Sequence, residues 1–497
     1  MMPGGGDDYR ARKNASISDL TGASMLELVL VSTPIPMGLW LLAETNALAK
    51  LKRHRKGMKS FGMRGFVWET FLVPFPAVAS MLWPSWTVIL LLIMACASVC
   101  CRLAQRASFK IECGEPARKE AVQIHNSRQE KPTKDRWRGN GLALPRMNFV
   151  TNFRASIMIM TCITILAVDF HVFPRRFAKT EVFGTGLMDL GVGATVFASG
   201  LASGCRTKPQ GPGVKTGLSI WRAMFADVAP AAVRAWPLAA LGVSRLVVTK
   251  GLRYQEHVSE YGVHWNFFAT LFCIRIVVVP MNRLRPARLR LWLALFAVFV
   301  YQWLLVRGGL SEFIVHAPRD SLFSMNREGV LGLVGFVAIY YIAKELGSQL
   351  WAHRQKNEKA ANDALSSSSC VTIITSATVI LWALTLLSDR FIQQTSRRMV
   401  NLTYVLWVSA HSTLMLNLLV LVDVASLKPP RSLILAAVNL NLFPVFMVAN
   451  LATGAINLSM RTLDADTFTA VGIVSVYVVL VVGFAAMLSE CAVVVKV

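Results

Sequence analysis

The chain has 497 residues and a formal net charge of +24, but only 16% of its residues are charged and 54% are hydrophobic. Its mean hydropathy is +0.49. A soluble domain carries about 25% charged residues, so this composition excludes a string of ordinary soluble domains. The basic residues lie mainly in short segments between apolar runs, as membrane topology requires, and we therefore expect no nucleic-acid partner.

Apolar runs of about 17–25 residues recur along the chain, each long enough to cross about 30 Å of hydrocarbon. The sequence therefore predicts an all-α, polytopic integral membrane protein, with one transmembrane domain over residues 1–497. We place thirteen predicted spans at residues 25–43, 66–83, 86–104, 154–170, 186–204, 229–249, 265–281, 289–306, 329–346, 368–387, 398–422, 431–458 and 470–495.

The orientation follows from the basic loops. Residues 1–24 are polar and lack the apolar core of a signal peptide, so we expect the first span to act as the insertion signal. Three strongly basic loops fall on one side of the membrane, at residues 44–64, 105–153 and 283–290. That side carries about twice as many Lys and Arg as the other and is predicted to be cytosolic. The N-terminal segment 1–24 is then lumenal, the C-terminus is cytosolic, and the polar segment 105–147 is a mobile cytosolic loop.

Three further patterns bear on the chemistry. The nine cysteines lie mostly within spans and show no metal or redox spacing. Neither a P-loop nor a dinucleotide-binding glycine pattern is present, so we expect no metal and no bound cofactor. Asn14 begins a glycosylation sequon that a lumenal N-terminus would make usable, although a chance match is an equally good interpretation.

The most unusual stretch joins the fourth and fifth spans on the predicted lumenal side. Its ionisable residues are Asp169, His171, Arg175, Arg176, Lys179, Glu181 and Asp189. Charge at the edge of hydrocarbon is costly unless it is paired or lines a wet cavity, so such a cluster suggests function. Its carboxylates can accept protons and its cations can bind anions. The alternative is a salt-bridged interfacial loop with snorkelling arginines.

Other spans also contain polar residues. The seventh begins within residues 260–268, where His264 and Asn266 are candidates to line a cavity, although a histidine at a span edge is often structural. Amides and small residues also occur in the last spans, where helix packing is the favoured interpretation. They are Asn439, Asn441, Asn450, Thr453, Gly454 and Asn457.

Four segments resemble one family. "AVDFHVFPRRFAKTEVFGTGLMDLGVGATVF" at 167–197 closely resembles the inositol acyltransferases of GPI-anchor biosynthesis, the PIG-W family. "EYGVHWNFFATL" at 260–271 is a second match. "MNREGVLGLVGFVAIY" at 325–340 and "ANLATGAINLSM" at 449–460 are weaker ones. The N-terminal region and the loop 105–147 match poorly.

The resemblance implies an enzyme of the endoplasmic reticulum membrane. It implies transfer of a fatty acyl group, typically palmitoyl, from acyl-CoA as co-substrate to the inositol 2-hydroxyl of glucosaminyl-phosphatidylinositol. The family's catalytic pair falls on Asp169 and Lys179, and both residues are present.

Each polar residue can be given a role in that reaction. Asp169 is the candidate base for the hydroxyl, and Lys179 the candidate group to stabilise the oxyanion or the departing thiolate. Arg175 and Arg176 are candidate phosphate ligands. The remaining candidates for substrate binding are His171, Glu181, Asp189, His264 and Asn266.

Two other classes of function remain open from the residues alone. The charged cluster could gate a lipid or ion transporter, although the two halves of the chain show no convincing repeat. It could also belong to a non-catalytic scaffold, for which clustered ionisable groups have no evident purpose.

Overall fold

A computed structural model of the chain describes residues 5–16, 18, 20–54, 63–112, 147–206, 218–251, 258–359, 363–426 and 430–495. Within these ranges the protein is helical. The first ten α-helices are α1 (Gly5–Ala15), α2 (Met25–Ser32), α3 (Pro34–His54), α4 (Met63–Leu72), α5 (Pro74–Leu82), α6 (Thr87–Glu112), α7 (Asn148–Ala167), α8 (Leu190–Gly204), α9 (Leu218–Gly251) and α10 (Val258–Tyr261). The others are α11 (Phe267–Met281), α12 (Ala287–Arg307), α13 (Leu310–His316), α14 (Leu322–Met325), α15 (Arg327–Lys359), α16 (Asp363–Phe391), α17 (Leu402–Ala425), α18 (Leu433–Leu440), α19 (Leu442–Ser459) and α20 (Thr467–Glu490).

The all-α membrane fold predicted from the sequence is confirmed. Ten stretches of the described chain are long and apolar enough to cross a membrane. They are Met25–Ala49, Arg64–Leu82, Pro84–Ala107, Asn148–Ala167, Ala287–Arg307, Arg327–Gln355, Cys370–Phe391, Leu402–Ala425, Leu442–Ser459 and Thr467–Glu490.

The other three predicted spans are helical but do not meet the same criteria. Helices α8 and α11 have 15 residues each, which extends about 22 Å and falls short of the hydrocarbon thickness. Helix α9 is longer, with 34 residues, but Pro230 and Pro237 lie inside it and several charged side chains interrupt its apolar character. A count of thirteen complete crossings is therefore not established.

Two features show how the bundle is packed. Helix α17 is largely buried along its whole length and forms part of the core, with Tyr404 and Trp407 fully buried. Helix α8 lies directly against the backbone of α15. A Cβ atom on Gly200 would come within 2.2 Å of the carbonyl oxygen of Tyr340, so this close approach requires glycine.

The loop between α7 and α8, residues 168–189, is folded into the protein. Phe170, Phe173 and Phe177 are fully buried in the main core. This loop, the N-terminal helix α1 and the segment after α19 lie together at one end of the bundle, which we call the site face. The end that carries the α11–α12 loop and the second half of α15 is the opposite face.

Two predicted segments can be compared with the structure only in part. The N-terminal segment 1–24 contains helix α1, which docks on the site face. At the start of the predicted loop 105–147, helix α6 continues to Glu112. Residues 113–146 lie outside the described residues, so the mobility of this loop remains a prediction.

Candidate functional site

Asp169 lies one residue beyond the C-cap of α7, and both of its carboxylate oxygens have partners. Oδ1 lies 2.8 Å from the ammonium nitrogen of Lys13, on the N-terminal helix. Oδ2 accepts a hydrogen bond of 2.7 Å from the side-chain amide of Asn457, in the last turn of α19. Lys13 also donates to the amide oxygen of Asn457, at 2.9 Å, and this closes a three-membered polar cluster.

Helix α1 is docked onto the segment that follows α19. Arg12 makes two hydrogen bonds to the carboxylate of Asp464, of 3.0 and 3.3 Å. The hydroxyl of Tyr9 accepts from the backbone N–H of Leu463 at 3.3 Å, and the guanidinium of Arg461 lies 5.6 Å from its ring centroid. These contacts hold α1 in position to present Lys13 to Asp169.

A second cluster surrounds Lys179. Its ammonium donates to the carboxylate of Glu260 at 2.6 Å. The other oxygen of Glu260 accepts from Arg397, in the segment between α16 and α17. The Arg397 guanidinium lies 5.1 Å from the ring centroid of Tyr261, over which it can make a cation–π contact. Three distant parts of the chain thus combine their charges here.

Asp189, fully buried, lies behind this second cluster. One carboxylate oxygen accepts from the backbone N–H groups of Thr180 and Gly186 and from the Thr180 hydroxyl, at 2.9–3.2 Å. The other lies 3.7 Å from Nε of Arg397. Tyr404 donates to its backbone carbonyl at 2.8 Å. Asp189 therefore organises the fold of the loop.

The loop is fixed from both sides by backbone contacts. Ala23 donates to the carbonyl of Thr185 at 2.7 Å, and Gly184 donates to that of Thr395 at 2.8 Å. Gly184 has a φ of +125°, and a Cβ there would lie 2.0 Å from the carbonyl oxygen of Thr21. Only glycine fits such a position without strain. The N-terminal segment is therefore part of the site's framework.

The two arginines predicted to bind phosphate already have partners within the protein. Arg175 donates to the carbonyl oxygens of Val168 and Phe170, at 2.6 and 3.0 Å, near the C-terminal end of α7. Arg176 is about half exposed and pairs with Glu27, with its shortest contact at 2.8 Å. Substrate binding by these arginines stays a prediction.

The remaining predicted site residues lie around the same face. His171 contacts the hydroxyl of Thr467 at 3.4 Å. The side chain of Glu181 makes no hydrogen bond to any residue that the structure describes. His264 is exposed, and its backbone N–H donates to the side chain of Asn326 at 2.8 Å. Asn266 caps α11, accepting from the N–H groups of Phe268 and Ala269.

In the second cluster, the surroundings affect the pKa values of Glu260 and Lys179 differently. Although burial raises the pKa of Glu260, Arg397 and Lys179 lower it by more, so its carboxyl stays ionised. Burial lowers the pKa of Lys179, while the charge of Glu260 opposes this effect. Glu260 is therefore a counterion, and Lys179 is a cation whose proton is easier to donate than that of a solvated lysine.

Asp169 and Lys179 share the site face, but no hydrogen bond or ion pair joins them in the described structure. Each has its own counterion, Lys13 for Asp169 and Glu260 for Lys179. This arrangement places a carboxylate and an ammonium, each beside an opposite charge, on the same face of the bundle. It suits proton removal at one point and stabilisation of developing negative charge at another.

Several partners in these clusters were not predicted from the sequence. Lys13 lies in the segment for which no resemblance was found, and Arg397 lies in the tenth connection, where no motif stood out. Asn457 was assigned to helix packing, but its amide binds Asp169 instead. Glu260 stands at the start of the second motif and was not selected. Glu260 and Asn457 thus lay within segments that resemble the family, whereas Lys13 and Arg397 carried no usable sequence signal.

Similarity to known proteins extends over nearly the whole chain. The model of the GWT1 family matches residues 9–488. A relative from Aspergillus oryzae, GPI-anchored wall transfer protein 1, is 33% identical, with 96% of this chain and 97% of the relative covered. Its namesake in Eremothecium gossypii is 36% identical, over 71% of this chain and 78% of the relative.

A third relative carries the other name of the family. The phosphatidylinositol-glycan biosynthesis class W protein of Dictyostelium discoideum is 34% identical, over 67% of this chain and 72% of the relative. The matched residues 9–488 include every described member of both clusters. The chain therefore belongs to the GWT1 family, the PIG-W family of GPI inositol acyltransferases, and is a multi-pass membrane protein of GPI-anchor biosynthesis.

Proposed function

We propose that this enzyme transfers a fatty acyl group, typically palmitoyl, from acyl-CoA to the inositol 2-hydroxyl of glucosaminyl-phosphatidylinositol. Family membership supports the reaction class. The observation that carries the assignment to this site is that Asp169 and Lys179, on one loop, are each held beside an opposite charge at the membrane boundary. Such charges are costly to maintain there without a task.

The reaction needs a base and a group that stabilises developing negative charge. Asp169 removes the proton from the inositol hydroxyl as its oxygen attacks the thioester carbonyl carbon. Lys13 and Asn457 each occupy one lone pair of the carboxylate, which leaves a second lone pair on each oxygen to accept that proton.

The tetrahedral intermediate then collapses and the carbon–sulfur bond breaks. Lys179 stabilises the oxyanion or the departing thiolate by its positive charge. The proton taken from the hydroxyl finally reaches the CoA sulfur. The balance is one ester and one free thiol formed from one thioester and one hydroxyl. Transfer is direct, because this scheme needs no acyl-enzyme intermediate.

The proposal extends to location and orientation. We place the enzyme in the endoplasmic reticulum membrane, with the site face toward the lumen and the C-terminus in the cytosol. The contact between Lys13 and Asp169 supports an N-terminal helix on the same side as the site. Cysteine labelling of α1 in sealed microsomes tests it, and reaction with an impermeant cytosolic reagent would reverse the orientation.

The decisive experiment is a reconstituted assay. Purified enzyme in phospholipid nanodiscs is given labelled palmitoyl-CoA and glucosaminyl-phosphatidylinositol, and the acylated glycolipid is identified by mass spectrometry. We expect the label on the inositol ring with stoichiometric release of free CoA. Absence of transfer from acyl-CoA by folded enzyme would overturn the proposed reaction.

A further inference from the structure

Two buried cations meet on the opposite face of the bundle. Lys344 lies in the second half of α15, and Arg290 lies in the first turn of α12. Each is only 6% exposed. Both donate to the same atom, the side-chain oxygen of Asn282 at the C-terminal end of α11, with Arg290 at 3.2 Å. The two charges are therefore separated by no more than two hydrogen bonds.

Neither cation has a carboxylate partner among the residues that the structure describes. Glu345 is near enough for its charge to act on Arg290, but it forms no ion pair with either cation, and the described carboxylates around them have other partners. Glu345 accepts from Gln349 at 3.2 Å and lies 4.0 Å from the exposed Arg288. Asp227 makes two hydrogen bonds with Arg283.

Aromatic rings complete the surroundings of Lys344. Its ammonium lies 5.9 Å from the ring centroid of Tyr340 and 6.0 Å from that of Tyr341. These rings offer partial compensation by cation–π attraction, but they carry no charge.

Such an arrangement is expensive without an anion. Two like charges removed from water and joined through one neutral oxygen repel each other and lose hydration. The basic side chains that orient a membrane protein need only reach water, as Arg288 does with 78% of its side chain exposed. Orientation therefore does not explain why Lys344 and Arg290 are buried.

We propose that Lys344, Arg290 and Asn282 form a binding site for a phosphate group. The planar guanidinium and the ammonium can both donate to phosphate oxygens, and the ligand's negative charge supplies what the two cations lack. The chemical class is a phosphate ester with at least one negative charge. It can belong to the acyl donor, through its CoA phosphates, or to the headgroup of an anionic phospholipid.

The position of this site defines its role. Lys344 is sixteen residues from Glu328, which lies at the start of α15 on the site face, so the two residues are about 24 Å apart along the helix. The phosphate site therefore captures a ligand at a distance from Asp169 and takes no part in the bond-breaking step. The assignment of CoA as its ligand rests on the proposed function, whereas the phosphate chemistry does not.

Two substitutions and one control test the proposal in the full-length enzyme in nanodiscs. Lys344→Met and Arg290→Gln each remove one charge at similar length, and Arg288→Gln removes an exposed charge from the same helix. The binding of labelled CoA is measured in phosphatidylcholine nanodiscs. The binding of phosphatidylinositol is measured separately, by native mass spectrometry. Thermal stability without CoA is recorded for every variant.

We expect both site variants to weaken binding of one ligand by about tenfold or more, the loss associated with one charged hydrogen bond. Arg288→Gln should change it less than about threefold. If CoA is the ligand, KM for acyl-CoA rises by the same factor and kcat stays within about twofold. If phosphatidylinositol alone responds, the site binds a lipid headgroup.

The cations would instead be structural if the variants lowered the melting temperature while binding of both ligands stayed unchanged, and this would overturn the phosphate site. The same preparation distinguishes this failure from that of the proposed function. If the wild type transfers the acyl group and both variants bind the ligands as the wild type does, only the phosphate-site proposal is refuted. If the variants lose binding but the wild type transfers no acyl group, only the proposed reaction is refuted.

Discussion

The two ends of the bundle differ in whether their buried cations lie beside carboxylates. On the site face, Lys13 binds Asp169, and both Lys179 and Arg397 bind Glu260, so each of these cations lies against a carboxylate. On the opposite face, Lys344 and Arg290 share a neutral amide oxygen. The first arrangement is complete without a ligand, whereas the second leaves two cations without an ion pair to any carboxylate in the described part of the chain.

This difference separates two tasks that a lipid-modifying enzyme has to perform. Residues that carry out chemistry must hold a fixed charge and geometry before the substrate arrives, which internal counterions provide. Residues that capture an anionic ligand gain affinity from positive charge that the protein itself has not neutralised. The predictions below test whether the charge balance at each end serves these tasks.

The largest effect is expected from the catalytic pair. Asp169→Asn should lower the rate of acyl transfer by about 10²–10⁴-fold because the amide cannot take up the proton. Lys179→Ala should lower it by about 10²–10³-fold because the developing negative charge loses its partner. The assay is palmitoyl transfer in nanodiscs, with melting temperature measured in parallel. The matched control is Asp464→Asn, which removes the other carboxylate that binds α1. Full activity in Asp169→Asn would exclude this residue as the base.

The second prediction concerns the stability of the second cluster on the site face, in which Glu260 binds two cations. Glu260→Gln leaves Lys179 and Arg397 together without a carboxylate between them. Removal of one member of a buried ion pair typically costs 3–5 kcal/mol, and we expect a loss of about 3 kcal/mol. Unfolding of the detergent-solubilised protein by denaturant measures it. An unchanged unfolding midpoint would mean that solvent, and not Glu260, compensates these cations.

The third prediction concerns a variant in which the two cations of the opposite face gain a carboxylate partner, as the cations of the site face already have. Asn282→Asp places a carboxylate between Lys344 and Arg290 and should stabilise the ligand-free protein. Two charged hydrogen bonds add more than the 0.3–1 kcal/mol that an acidic group at a helix C-terminus costs, so we expect a net gain of about 1.5 kcal/mol. Affinity for the phosphate ligand should fall in the same variant. Lower stability would show that the two cations do not lack a counterion.

The fourth prediction compares two ion pairs made by one helix. Lys13→Met removes the cation beside Asp169 and should lower kcat by about tenfold, the effect of one charged hydrogen bond. Arg12→Met breaks the contact with Asp464, which supports the docking of α1 only, and should change kcat by less than about threefold. Lys13→Arg should recover part of the rate. Equal losses of kcat in Lys13→Met and Arg12→Met would mean that Lys13 only helps to hold α1 in place.

The smallest effect is expected at the exposed pair of Arg176 and Glu27. The Arg176 side chain is 47% exposed, and exposed pairs are worth less than about 1 kcal/mol. Arg176→Gln should therefore shift the unfolding midpoint only slightly, in contrast to Glu260→Gln. The same variant tests the predicted phosphate contact, for which a raised KM for either substrate would be the evidence. A large loss of stability would mean that this exposed pair stabilises the protein as much as the buried ion pairs of Glu260 do.

The fold was predictable from sequence because hydropathy is a local property. Each described apolar run became a helix, and the two 15-residue helices α8 and α11 show where length alone misleads. The break between α18 and α19 at Asn441, within one predicted span, was not foreseen. Nothing in a hydropathy pattern marks where a helix stops within a continuous apolar run.

The site was predictable only where its residues adjoin one another in the chain. Asp169, Lys179 and Asp189 stand out because seven ionisable groups are crowded into one loop. Their partners come from far away. Lys13 precedes Asp169 by 156 residues, and Glu260 follows Lys179 by 81. Pairings of this kind leave no periodic or compositional trace, and Lys13 in a polar helix resembles any solvated lysine.

The docking of α1 also sets an order of events during synthesis. Lys13 precedes both of its partners in the chain, and Asn457 follows Asp169 by 288 residues, so most of the membrane helices are synthesised between them. The cluster cannot close until α19 and the segment after it have been translated and inserted. Until then the carboxylate of Asp169 lacks its partners on α1 and α19, so the proposed base is completed only late in the assembly of the bundle.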